Sequence, residues 1–169
     1  MDIIESYLEN SEFTIQHLPA NEADTISDLW VELHKELDSV VTFKVTGPST
    51  TKWNDLKTRY ISRSQQGMFV IIVAFDKKKV PVGFSVCFIT GHGKIGQIDS
   101  LYTLPTYRNK GLGSILINNA NDWFDSNGSR AIRVNVDGGN ERALKLYQHF
   151  GFIPEYTVMR NKKSKSVRL

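Results

Sequence analysis

The chain of 169 residues holds one cysteine, Cys87, which excludes an internal disulfide. No apolar run approaches the roughly 18 residues needed to cross a bilayer, so no membrane partner is expected. Met1 to Asn10 carries three acidic residues and no basic one, which does not read as a secretory leader. Together these absences point to a cytoplasmic location. His17, His34, His92 and His149 show no metal-ligand spacing with a cysteine or carboxylate motif, so no metal is expected. There is no Gly-Lys-Ser/Thr of a nucleotide P-loop, and no internal repeat, linker or low-complexity stretch.

What remains has the size and composition of one compact domain, with 40% hydrophobic and 23% charged residues. Arg160, Lys162, Lys163, Lys165 and Arg168 place five positive charges in the last ten residues. Set against a net charge of +3 for the whole chain, these five leave the remainder at −2. The folded body is therefore mildly acidic, which argues against a nucleic-acid partner. The domain is expected over residues 1–159, and 160–169 as a basic, mobile tail.

Hydrophobic periodicity orders the elements. Phe13 to Leu18 reads as a strand closed by Pro19. Asn21 to Ser39 reads as a helix striped by Ile26, Leu29, Trp30, Leu33 and Leu37. Val40 to Thr50 reads as a loop, with Ser49 or Thr50 capping a helix from Thr51 to about Gln65. Met68–Phe75 and Val80–Thr90 form a hairpin around Asp76-Lys77-Lys78-Lys79. Gly91-His92-Gly93 precedes a strand from Lys94 to Leu104. Then follow a helix over Leu112–Ser126, a strand over Ala131–Val136, a helix over Asn140–Phe150 and a last strand over Tyr156–Met159. The fold class is α/β, with a hairpin-built half and a strand–helix–strand half.

Two motifs carry chemistry. Arg108-Asn109-Lys110-Gly111-Leu112-Gly113-Ser114 joins a strand to a helix. Its glycines permit a tight, bare turn, the helix start offers unpaired N–H groups, and two cations flank it. Such a junction suits a phosphate or pyrophosphate, although an ordinary turn looks the same. Leu116 stands where a dinucleotide fingerprint needs its third glycine or alanine, which excludes that reading. The second motif is the helix from Asn140, where Asn140, Ala143, Leu144 and Tyr147 share one face. An amide, a small side chain and a phenol would thus line one stripe, unless Tyr147 is simply a core residue with its O–H at the rim.

In this order the motifs resemble the GNAT superfamily of acetyl-CoA-dependent N-acyltransferases. The pattern Arg/Gln-x-x-Gly-x-Gly/Ala is matched at Arg108, Gly111 and Gly113. Asn-x-x-Ala-x-x-Leu-Tyr followed by Gly-Phe is matched at Asn140, Ala143, Leu146, Tyr147, Gly151 and Phe152. The element order resembles that fold from about Phe13 to Met159. The resemblance implies a single GNAT-like domain, with a mixed, mostly antiparallel central sheet flanked by helices. It also implies acetyl-CoA as cosubstrate. The pyrophosphate would rest on Arg108, Asn109, Lys110, Gly111, Leu112, Gly113 and Ser114. The pantetheine arm would lie along Leu101, Tyr102 and Thr103, in contact with Asn140 beside Ala143, with the sulfur near Tyr147.

Such a reaction transfers an acetyl group to the primary amine of a small molecule or peptide by direct attack on the thioester. Tyr147 is the candidate acid for the departing thiolate, and a backbone N–H near Thr103 the candidate oxyanion donor. Asp99, on the face of Leu101 and Thr103 by parity, is the candidate base. It could equally attract a cationic acceptor or make a structural hydrogen bond. Gln97 stands where other family members carry a glutamate. Cys87 reads as core filler. Trp30, Trp53 and Tyr60 read as core and His149 as a helix-surface residue; His34 reads as a surface residue or, since the resembling fold often forms its acceptor pocket at this helix, as a pocket residue. Glu32, Glu36 and Asp38 could favour a cationic amine or form a solvated face. The rival reading is a non-catalytic acyl-CoA-binding or regulatory module. A monomer or a homodimer is expected.

Overall fold

A computed structural model of the chain describes residues 12–40, 52–90 and 94–159. The loop over 41–51, with the expected Ser49 or Thr50 cap, lies outside them, as do His92 and the basic tail.

Five strands form one sheet in the order β1 (Thr14–Leu18), β2 (Met68–Phe75), β3 (Pro81–Thr90), β4 (Ile95–Thr103) and β5 (Ala131–Val134). Every neighbouring pair is antiparallel except β4–β5, whose parallel crossover carries a helix, as parallel neighbours require. The helices are α1 (Ser27–Val40), α2 (Trp53–Gln66), α3 (Leu112–Ser126) and α4 (Glu141–His149). The expected helix over Asn21–Ser39 begins instead as a 3-10 segment, Ala20–Ile26, and becomes α-helical at Ser27. At the start of α2 the N-cap is Lys52, which makes no side-chain capping bond.

Both faces of the sheet are apolar, so each must be covered. Val70, Ile72, Cys87 and Ile98 pack with Leu116, Ile117, Phe124 and Tyr147 on the α3–α4 side. Ile71, Val73, Phe84, Val86 and Tyr102 pack with Trp30, Leu56 and Tyr60 on the α1–α2 side. Gly96 lets α3 approach closely, since a Cβ there would stand 2.5 Å from the Phe124 ring. Cys87 is fully buried in the first cluster, as a core residue would be.

No strand forms over Tyr156–Met159. Val158 and Met159 are exposed, and the segment is tied back by a 2.8 Å ion pair from Arg133 to Glu155. Apolar side chains alone do not make a strand; its backbone groups also need a ladder partner.

Candidate active site

β4 is the hub of the site. It pairs with β5 only from Ile95 to Ile98, while β3 accompanies it to Thr103. From Asp99 onward the edge that faced β5 has no strand partner among the described residues. The Leu104 N–H turns toward β3, donating to the Val82 carbonyl. By alternation, the N–H of Thr103 turns to the open edge. The Thr103 carbonyl accepts from Arg108 Nε at 3.0 Å. An extended ligand with amide groups could therefore lie along this edge.

The loop after β4 ends at Gly111, whose φ of 78° is left-handed, and α3 starts at Leu112 without a side-chain cap. A Cβ on Gly111 would meet nothing within 4 Å, so the space above the turn is open. Uncapped N–H groups and the positive end of the helix dipole face that space. The flanking cations are engaged elsewhere. Lys110 donates to Glu12 at 2.7 Å. Arg108 packs over the Tyr102 ring and pairs with Glu36 of α1. The cradle is thus made of backbone, and Arg108 braces it rather than projecting into it.

Asn140 caps α4, its Oδ1 accepting from the Ala143 N–H at 3.2 Å. That leaves its Nδ2 as the group available to a ligand. Tyr147 is 6% exposed and meets Phe152 edge-on. Its hydroxyl makes no hydrogen bond among the described residues. Burial, with a smaller contribution from Cys87, pushes its pKa above the ordinary phenol value. In the same cluster burial pushes the Cys87 thiol up to about 12, partly offset by Ser85 at 3.4 Å. Leu101 packs on this side, with Ala143 and Leu146 nearby.

The opposite side of β4 is shaped by a bulge. Val86 pairs with Ser100 and Cys87 with Ile98, so Asp99 is the extra residue. The bulge breaks the alternation on which the expected Asp99–Leu101–Thr103 face rested. Asp99 turns toward α2, where Arg63 donates to it at 2.8 Å and the Tyr60 hydroxyl at 3.3 Å. Burial and the Asp99 charge raise the Tyr60 pKa, partly offset by the Ser100 hydroxyl and Arg63. Gln97, two residues earlier, donates to the Ile98 carbonyl at 3.1 Å.

Asp99 and Ser100 line a cavity of about 200 Å³ between the sheet and the first two helices. α1 contributes Trp30, Leu33, His34 and Leu37; α2 contributes Leu56, Arg59, Tyr60 and Arg63. Both sets follow helical i, i+3, i+4, i+7 spacing. Of the two positions open to His34, surface and pocket, the structure has it in the cavity wall. It stacks on Trp30 with ring centroids 3.8 Å apart, and its Nδ1 lies 2.9 Å from the Trp30 carbonyl. A carbonyl only accepts, so Nδ1 carries the proton and Nε2 of the neutral ring has the free lone pair.

Glu32 and Glu36 do not line the cavity: Glu32 pairs with Lys35 at 2.7 Å, and Glu36 with Arg108 and, at 3.7 Å, Arg142. Sequence reasoning missed Arg59, Arg63 and Ser100. The signal for the arginines was present, since both fall on the stripe that carries Leu56 and Tyr60.

Residues 27–152 match the model of the acetyltransferase (GNAT) family. The chain belongs to that family. An uncharacterized N-acetyltransferase of Methanocaldococcus jannaschii is 25% identical over 146 residues, covering 83% of this chain. The chain spans 60% of that protein's length. Among solved structures, a tetramutant of the Bacillus halodurans protein BH1408 has a TM-score of 0.69 at 19% identity, covering 88% of this chain and 99% of that one. AAC(6')-Iy in complex with a bisubstrate analog of CoA and acetylneamine has a TM-score of 0.64 at 20% identity, with 91% of this chain and 99% of that one covered. These two likenesses concern the GNAT fold.

Proposed function

We propose that the protein is an N-acetyltransferase that uses acetyl-CoA as cosubstrate and acetylates a primary amine of a small molecule. The observation that carries this reading is the asymmetry of β4. One side offers an open strand edge, a backbone anion cradle and a buried phenol; the other offers a cavity with an imidazole and a carboxylate. A thioester on the first side and an amine on the second would meet at the bulge. In support, AAC(6')-Iy, whose fold is shared, has been solved with CoA.

In this reading the backbone of residues 108–114 holds the pyrophosphate. Leu101, Tyr102 and Thr103 hold the pantetheine arm, with Asn140 Nδ2 and the small Ala143 beside it. The amine nitrogen attacks the thioester carbonyl, forming a C–N bond as the C–S bond breaks. His34 Nε2 takes the proton the amine loses. Asp99, fixed by Arg63 and Tyr60, orients the amine rather than serving as the base assigned from sequence. The open-edge N–H at Thr103 faces the developing oxyanion.

Tyr147 returns a proton to the sulfur. Burial makes it a weaker acid than a free phenol, but the same surroundings strengthen the thiolate as a base. Transfer between two groups raised together remains feasible.

Thiol release with acetyl-CoA and a panel of amines, read with product mass, tests the proposal. Amine-dependent release with a product heavier by one acetyl group is expected. Acetyl-CoA binding without release on any amine would leave the binding-module reading instead.

A further inference from the structure

The acceptor cavity carries more positive than negative charge. Arg59 and Arg63 line it from one face of α2, and Asp99 is the one acidic residue in its wall among the described residues. Arg63 is committed to Asp99 and lies over the Phe88 ring, 4.2 Å from its centroid. Arg59 has no acidic partner among the described residues. The neighbouring glutamates of α1 are neutralised by Lys35 and by Arg108 and Arg142, and neither reaches the cavity wall. Ser100, at the bulge, places a hydroxyl in the same wall beside Tyr60.

These observations bear on the acceptor. Among the described residues, the Arg59, Arg63 and Asp99 charges of the cavity wall sum to one net positive charge. A polyamine or other polycation would set its further ammonium groups against Arg59, which is unfavourable at short range.

We infer that the acceptor is a small amine that also carries a carboxylate, an amino-acid-like molecule. Its carboxylate lies on the Arg59 guanidinium and its amine between Asp99 and His34. This rests on the acetyl-transfer reading of the same cavity and adds the class of acceptor. Arg59 offers a planar fork of donors that matches a carboxylate. The charge count also fits the chemistry. The reactive form has a neutral amine and one carboxylate, so its single negative charge balances the cavity. Trp30 and Leu56 give the rest of the molecule an apolar wall, and Ser100 adds a hydroxyl to it.

The test compares L-α-amino acids with their carboxamides and with spermidine. Thiol release is measured at saturating acetyl-CoA, and binding of the N-acetylated acids and amides is measured calorimetrically in the presence of CoA. At least one acid should exceed its amide by about tenfold or more in kcat/KM, the scale of a charge-assisted hydrogen bond. Its N-acetyl product should show the same preference in binding. Arg59→Gln should bring the acid down to the amide, and Arg59→Lys should keep part of the preference. Amides or spermidine matching the acids, no binding of any acid, or an acid-to-amide ratio that Arg59→Gln leaves alone would overturn the assignment. A carboxylate preference in binding with no thiol release would uphold the ligand class and reject the acetyl-transfer reading.

Discussion

In the proposed reaction the donor side of β4 is made mainly of backbone, the acceptor side mainly of side chains. On the donor side stand an unpaired strand edge, a left-handed glycine and a helix start that no side chain caps. On the acceptor side the polar groups are His34, Arg59, Arg63, Asp99 and Ser100, drawn from three elements. The difference fits what each side must recognise in the proposed reaction. A constant cosubstrate can be held by main-chain groups, which every sequence supplies. A particular acceptor needs side chains, and these can change while the backbone stays as it is.

The sharpest way to break this comparison is to remove one catalytic group from each side. His34→Gln should lower kcat by roughly 10²–10⁴-fold, the usual range for a general base. Tyr147→Phe should lower kcat by about 10²-fold while acetyl-CoA affinity holds, because the phenol acts only as sulfur departs. The role of Tyr147 also has a signature in pH. An acid must be protonated, and burial raises Tyr147. Its descending limb should therefore lie above the ordinary phenol value of about 10. Unchanged kcat in either variant, with chemistry rate-limiting, would remove that residue from the mechanism.

The cradle gives a smaller effect. Gly111→Val forces a β-branched residue to φ 78°, at a cost of about 1–2 kcal/mol. No clash adds to it, since nothing lies within 4 Å of the new Cβ. In a chain of this size the melting temperature should fall by roughly 2–8 °C. The side chain would also stand in the space assigned to the pyrophosphate, so acetyl-CoA affinity should fall at least about tenfold, measured by titration. Retained affinity would sink the cradle; global unfolding would make the glycine a requirement of the fold alone.

The same contrast explains what could be read from sequence. The donor side writes itself into local spacing: Arg108, Gly111 and Gly113 at a strand–helix junction, then Asn140, Ala143 and Tyr147 on one helix face. Among the described residues, all five strands and three of the four helices follow their hydrophobic periods to within about two residues. Ala131–Val136 is two residues too long at its end, and the 3-10 entry to α1 departs further. The acceptor side depends on the Asp99 bulge, which inserts one residue against β3 and redirects every parity argument made across it. Periodicity cannot show where a ladder slips. Nor could it show that His34 would stack on Trp30 and line a cavity with Asp99, because that follows from how α1 packs on α2 and the sheet. The apolar end at Tyr156–Met159 failed for a related reason: a strand is defined by its neighbour as much as by its own residues.

The smallest expected effect lies where the two sides are tied together. Glu36 of α1 pairs with Arg108 below the cradle and reaches Arg142 at the start of α4. Its side chain is 35% exposed, so the pair is partly screened. Glu36→Gln should cost less than about 1 kcal/mol of stability, and added salt should shrink that further. The informative readout is acetyl-CoA affinity. If Arg108 is a brace, its bond to the Thr103 carbonyl and its packing on Tyr102 keep it in place without Glu36, and the affinity should hold. If instead Glu36 withholds Arg108 from the phosphates, the variant should bind acetyl-CoA more tightly. Holding affinity, with the acceptor KM moving by less than about fivefold, would leave the donor cradle a backbone device. Tighter binding would mean that one side chain of the donor site is governed from the acceptor side, and the two could not be treated as separate constructions.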